Sequence, residues 1–188
     1  DPEHYTTARD SAVLASALIR EFPEYYRWYA QREFTFNGIT QQNRNGLLWR
    51  DPSVDGVKTG HTESAGYCLV ASAKRDGMRL VSAVLGTESM RAREDANAAL
   101  LNYGFNFFET KRLYAAGEPL TTAPVWKGAT RTVGLALRRD LYVTGQRGQV
   151  GNVRAEFELP DQLVAPLTTD QPIGKASIVV NGATIATH

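Results

Sequence analysis

Val54-Asp55-Gly56-Val57-Lys58-Thr59-Gly60-His61-Thr62 is rich in Val, Thr and Gly, and two further runs of extended character follow it, Gly66 to Ala73 and Met78 to Leu85. Lys74-Arg75-Asp76-Gly77 joins those two runs. Asp-Gly tolerates positive φ at both central positions of a two-residue turn, so it favours a tight antiparallel hairpin. Tyr67, Leu69 and Ala71 alternate strictly, and Leu80, Ala83 and Leu85 less cleanly. These three segments predict an antiparallel sheet whose first strand, Asp55 to Gly60, carries a cation, a hydroxyl and a position without a side chain in succession.

Outward from that sheet, Thr6-Thr7 precede Val13, Leu14, Ala17, Leu18 and Phe22 at three-to-four residue spacing. A hydroxyl N-cap and that period predict a helix from Ala8 to Glu21, with Pro23 stopping it. Glu33-Phe34-Thr35-Phe36-Asn37-Gly38 and Gly46-Leu47-Leu48-Trp49 predict a hairpin or paired short strands. From Ser89 to Glu109, Ala92, Ala96, Ala99, Leu100, Tyr103 and Phe107 form a helical stripe that Gly104 weakens without ending. That helix is expected to pack on the sheet.

Beyond Thr110 the period changes to two. Val133, Leu135 and Leu137; Leu141 and Val143; Val153, Ala155, Phe157 and Leu159; and Ile178 and Val180 before Asn181-Gly182 and Ile185 all alternate. The expected fold class is α+β, with residues 1–110 as one part and 111–188 as a small all-β sandwich or barrel, linked near Glu109–Arg112.

The 188 residues are 43% hydrophobic, enough for a packed core, and the net charge is +1 with basic and acidic residues interspersed. No nucleic-acid partner is expected from that balance. The single cysteine, Cys68, excludes an intrachain disulfide, and its neighbours Tyr67, Leu69 and Val70 predict a buried thiol. No segment has the apolar length to cross a bilayer as a helix. His4 and His188 stand apart from other metal-binding residue types at ligand spacing, so no metal is expected. Asp10, Glu94 and Asp95 are read as helix-surface charges, and Trp49 and Trp126 as packing residues.

Lys58-Thr59-Gly60 can hold the carboxylate end of a peptide beside a nucleophile, although a solvated strand end would carry the same tripeptide. The flanking Val54 and Val57, which bury one face, and Gly56 and Gly60, which permit close backbone approach, favour the binding reading. No serine in the chain is followed three residues later by lysine: Ser53, Ser64, Ser72, Ser82 and Ser89 all fail that test.

Thr6-Thr7-Ala8-Arg9-Asp10, Glu33 to Ile39, Asn43-Arg44-Asn45-Gly46-Leu47-Leu48-Trp49, Val54 to Thr62, and Gly104-Phe105 with Phe107-Phe108-Glu109-Thr110 carry a resemblance that spans the chain. They resemble the low-molecular-mass penicillin-binding proteins, specifically D-alanyl-D-alanine carboxypeptidases of the penicillin-binding protein 5 and 6 type. Pro124-Val125-Trp126 and Ala165-Pro166-Leu167 extend it into the β region.

The resemblance implies the C-terminal part of a β-lactamase/transpeptidase-like domain followed by the β domain. It also implies three motifs, Ser-x-x-Lys, Ser-x-Asn and Lys-Thr-Gly, of which only the third is present; Thr35-Phe36-Asn37 mimics the second but sits inside an alternating strand. The first two are expected before Asp1, so the chain is expected to be the later portion of a longer enzyme whose N-terminal half is its partner. By the same resemblance Lys58 places charge in the proton-relay network and attracts the substrate carboxylate. Thr59 hydrogen-bonds that carboxylate, Gly60 leaves room for substrate, Arg44 neighbours the carboxylate pocket, and the backbone N–H of His61 is one of two oxyanion donors. The His61 imidazole itself is as well explained by packing or loop hydrogen bonding, and a structural salt bridge is the lesser alternative for Arg44.

The implied activity is removal of the terminal D-alanine from peptidoglycan peptides ending in D-Ala-D-Ala, with acylation by β-lactam antibiotics and no cofactor. The implied location is the periplasm, peripheral to the bacterial inner membrane through a C-terminal amphipathic helix beyond His188. A β-lactamase shares Lys-Thr-Gly but generally lacks the β domain. A non-catalytic module that positions a catalytic domain at the membrane is the alternative from another class.

Overall fold

The computed structural model describes residues 3, 5–150, 153–169, 171–180 and 182–187. His4, His188 and Asn181 lie outside the described residues. The chain forms two compact units that divide between Phe107 and Phe108.

In the first unit Thr7 opens helix α1 (Ala8–Glu21) from an extended backbone, and its hydroxyl accepts the Asp10 amide at 3.0 Å and donates to the Asp10 carboxylate at 2.8 Å. The helix ends as expected at Phe22, which precedes Pro23 and leaves the helical region, and Pro23 then begins the short helix α2 (Pro23–Tyr26), where a missing N–H costs nothing. A 3-10 turn over Arg27–Ala30 leads to β1 (Glu33–Phe36) and β2 (Ile39–Gln42), closed by Asn37 and Gly38 at φ of 50° and 74°. The Gly46–Trp49 stretch expected as a strand is a turn of helix, α3 (Leu47–Arg50). The Asn43 Oδ1 accepts the Asn45 amide at 3.0 Å and the Asn45 Oδ1 accepts the Leu47 amide at 3.2 Å, and these local bonds curl the backbone away from a ladder.

Strands β3 (Val54–Thr62), β4 (Gly66–Arg75) and β5 (Met78–Thr87) form an antiparallel sheet in that order. Asp76 and Gly77, at φ of 48° and 82°, make the predicted tight turn. Successive β5 side chains face opposite ways. Val81 faces α1, where Ala15, Tyr26 and Val57 form a buried cluster with Leu18, Ile19 and Val70. On the opposite face Ser82 bonds to Asn97 and Leu80 packs under Gly104 of helix α4 (Met90–Phe107). A Cβ at Gly104 would press on the end of the Leu80 side chain, which would have to turn aside.

Both helical stripes differ from expectation. In α4 the buried positions are Arg93, Asn97, Leu101 and Phe105, while Leu100, Tyr103 and Phe107 are 49%, 57% and 58% exposed. Arg93 and Asn97 face inward because they satisfy strand carbonyls, which a count of apolar residues misses. In α1, Val13 and Leu14 are exposed and Ala15 is buried instead. Trp49 and Trp126 are exposed, not core, and the Cys68 thiol is half-buried, lying 3.5 Å from the Ala65 carbonyl.

Beneath the α1 side of the sheet, Arg79 grips Asp55 through two bonds of 2.8 and 2.7 Å and donates to Ser72 at 2.7 Å. The Tyr26 hydroxyl donates to the same carboxylate at 2.8 Å. Burial, with the Asp55 carboxylate beside it, pushes the Tyr26 phenol well above its ordinary value.

The second unit is built of strands. Glu109–Arg112, expected as a linker, lies within β6 (Phe108–Tyr114), which pairs with β9 (Leu141–Gln146). β7 (Pro119–Trp126) pairs with β8 (Thr132–Ala136) and, in parallel, with β11 (Leu163–Val164). β10 (Val153–Glu158), β12 (Lys175–Val180) and β13 (Ala183–Thr187) make a third sheet. Leu141, Val143, Val150 and Ile178 form the core, with Leu113, Tyr114 and Leu137 against it.

Candidate active site

β3 is an edge strand, so among the described residues no strand pairs with the outer rim of Lys58-Thr59-Gly60-His61. Lys58 is exposed, and its Nζ donates to the Thr59 carbonyl at 2.9 Å. Gly60 is exposed, and a Cβ added there would meet only the Cys68 Cβ, at an ordinary 3.6 Å. Nothing in the described fold requires glycine at this position.

His61 stands opposite Tyr67 on β4, and the two rings lie 4.0 Å apart with planes tilted by 33°. Cross-strand packing therefore holds the imidazole. Arg44 lies on the loop before α3, its side chain exposed and without an ion pair among the described residues. Thr35-Phe36-Asn37 belongs to the β1–β2 hairpin, where Thr35 bonds to Thr40 and Asn37 makes the turn. Ser53, Ser72, Ser82 and Ser89 are engaged with Asp51, Arg79, Asn97 and the Ala92 amide respectively. Among the described residues no three His, Cys, Asp or Glu side chains converge.

The loop and the strand meet at a residue the sequence reading passed over. Arg93 of α4 is 3% exposed. Its Nη1 donates to the carbonyls of Gly60 at 3.1 Å and Cys68 at 3.3 Å, and its Nη2 to the carbonyl of Arg44 at 3.2 Å. One turn on, Asn97 donates to the Leu69 carbonyl at 3.1 Å and accepts from Ser82 at 2.6 Å. Asn45 closes the arrangement from the loop by donating to the Gly56 carbonyl at 3.0 Å. Glu94 is not a surface charge: it accepts the Gly46 amide at 3.2 Å and, with Asp95, pairs with Arg50, holding α3 and the Arg44 loop against α4. The available signal was the four-residue spacing that puts Arg93 and Asn97 on the same helical face as Leu101 and Phe105.

Residues 1–89 match the D-alanyl-D-alanine carboxypeptidase family, and residues 108–188 match the penicillin-binding protein 5 C-terminal domain. The chain resembles the penicillin-binding protein 5 type of D-alanyl-D-alanine carboxypeptidase along both units. It is 45% identical over 183 residues to D-alanyl-D-alanine carboxypeptidase DacA of Escherichia coli, covering 96% of this chain and 45% of that protein. It superposes on penicillin-binding protein 5 of Haemophilus influenzae with a TM-score of 0.83 and 42% identity, over 100% of this chain and 56% of the other. Penicillin-binding protein D2 of Listeria monocytogenes, in its cefotaxime-bound form, matches 53% of this chain and 41% of its own, with a TM-score of 0.51 and 34% identity. The chain spans about half the length of the curated family members it matches. In family terms the fold is a transpeptidase-like portion followed by the C-terminal β domain.

Proposed function

We propose that this chain supplies the carboxylate-binding strand of a serine D-Ala-D-Ala carboxypeptidase, which removes the terminal D-alanine from peptidoglycan pentapeptides and is acylated by β-lactams. The observation that carries the reading is the free rim of β3, with Lys58, Thr59 and the unencumbered Gly60 in succession. A peptide end adds to such a rim by strand pairing. The Thr59 hydroxyl and Arg44 guanidinium take its α-carboxylate, Arg44 through a charge-assisted fork. Lys58 adds positive charge beside the nucleophile.

The His61 amide and the amide of the nucleophilic serine stabilise the oxyanion formed when that serine attacks the penultimate carbonyl. Collapse breaks the peptide bond, the departing D-alanine amine takes a proton, and water then hydrolyses the serine ester. The serine belongs to the family's Ser-x-x-Lys segment, outside this chain. We place the enzyme in the periplasm, peripheral to the inner membrane, on the strength of the family resemblance. The matched β domain disfavours the β-lactamase reading.

Fluorescent penicillin and D-alanine release test the reading in the polypeptide that joins the Ser-x-x-Lys segment to these residues. Covalent labelling and turnover, both reduced by Lys58→Ala in a folded protein, are expected. Turnover unaffected by Lys58→Ala would exclude β3 as the substrate-binding edge.

A further inference from the structure

We propose that Arg93 is a positioning residue for carboxylate recognition, an inference that rests on the reading of β3 as the substrate edge. Its guanidinium fixes the spacing between the Arg44 loop and the Thr59-Gly60 rim by binding the backbone of both. Three features separate it from an ordinary helix–sheet contact.

First, one planar group reaches two elements distant in sequence: Gly60 and Cys68 form a cross-strand pair, and Arg44 lies on the loop before α3. Second, the charge is buried without an acid. Glu94 and Asp95, its neighbours in sequence, are committed to Arg50. Among the described residues no carboxylate pairs with Arg93, its Nε has no hydrogen-bond partner, and its neutral surroundings are the three carbonyls and the Tyr67 ring, 5.7 Å from its central carbon. A cation buried this way is costly unless a specific geometry is retained. Third, what it holds is the backbone of the substrate-contacting residues: the carbonyl of Arg44 itself, and that of Gly60, directly after Thr59.

A fork of fixed geometry suits this task, and an ammonium does not. Lysine at position 93 keeps the charge but cannot present parallel N–H groups to separated carbonyls. Misplacing a binding group by about 1 Å is enough to cost on the order of a hundred-fold in rate. Arg93 therefore acts through Arg44 and Thr59, without touching substrate.

The test uses the full enzyme that includes the Ser-x-x-Lys segment. Two D-alanyl thioesters are compared, one whose leaving group bears a carboxylate and its methyl ester, with Arg93→Lys and Arg93→Gln each checked for a cooperative melt. The expected result is a roughly ten-fold or larger fall in the carboxylate-to-ester ratio of kcat/KM for both variants, carried by KM of the carboxylate substrate. In an Arg44→Ala background, Arg93→Lys should lower the ratio by less than it does in the wild type, the remaining fall being the part carried through Thr59. Equal loss on both thioesters, an unchanged ratio, a ratio preserved in Arg93→Lys alone, or failure of both variants to fold would overturn the proposal. Wild-type enzyme that turns over neither thioester would instead remove the reading on which it rests.

Discussion

Replacing Gly60 by alanine should move stability and activity in opposite directions. The added Cβ meets only the Cys68 Cβ at 3.6 Å, an ordinary contact, and Gly60 has no positive φ that alanine would resist. Alanine has fewer unfolded conformations to lose, so Gly60→Ala is expected to stabilise by about 0.4–1 kcal/mol. For a chain of this size that is a rise in Tm of roughly 1–4 °C. On the proposed reading the same methyl group intrudes on the substrate's rim, and overfilling a close-packed contact costs about 1–3 kcal/mol, or roughly five- to a hundred-and-fifty-fold in kcat/KM. Thermal melts of the chain and steady-state hydrolysis of a D-Ala-D-Ala peptide by the full enzyme give the two readouts. A melting temperature that falls by several degrees would show that the fold itself needs glycine here; unchanged kinetics in a stabilised variant would show that substrate does not approach this position.

Other expectations follow from the charged networks and from the serine inventory. Arg79→Met removes two charge-assisted bonds to Asp55, whose side chain is 30% exposed; discounting for that exposure, about 2 kcal/mol of stability should be lost, read as a lower denaturation midpoint. Because the folded Tyr26 phenol lies above its ordinary value of 10.0, its contribution is full below that pH and declines as pH rises beyond it. Alkaline unfolding curves should show this decline, and Tyr26→Phe should flatten it. Burial tends to raise the Asp51 carboxyl, but the Ser53 hydroxyl and amide and Arg75 outweigh it and hold it below its ordinary 3.8. The stability it confers is present above that value and is lost as pH falls through the lower folded value; an Asp51→Asn protein should lose less on acidification. The 188-residue chain alone should not become covalently labelled by penicillin, and a labelled peptide containing one of its own serines would contradict that.

The sequence made the sheet and the Lys-Thr-Gly edge legible because both depend on local chemistry. Alternation marked β4, Asp76-Gly77 marked its turn, and Thr7 marked the start of α1. What stayed hidden depends on which neighbours a side chain meets. The apolar stripe of α4 lies one position off the buried one because Arg93 and Asn97 face inward, where strand carbonyls reward donors over methyl groups. Leu47-Leu48-Trp49 is too short for its apolar run to separate strand from helix, and two asparagine side chains bend it into a helical turn. The exposure of Val13 and Leu14 was equally unreadable, since periodicity shows that a helix has an apolar face without saying which face the sheet takes.

The open rim of β3 carries a hazard along with its use. A strand edge that accepts a peptide end will also accept another copy of itself, and edges of this kind are where chains stick together. Lys58 sits in the middle of that rim, exposed, with its ammonium on the Thr59 carbonyl. An exposed cation repels its own copy on an approaching edge, yet attracts a segment that ends in a carboxylate. The residue assigned to substrate is thus also a guard on solubility, and a neutral β-former at position 58 should leave an edge that pairs without discrimination.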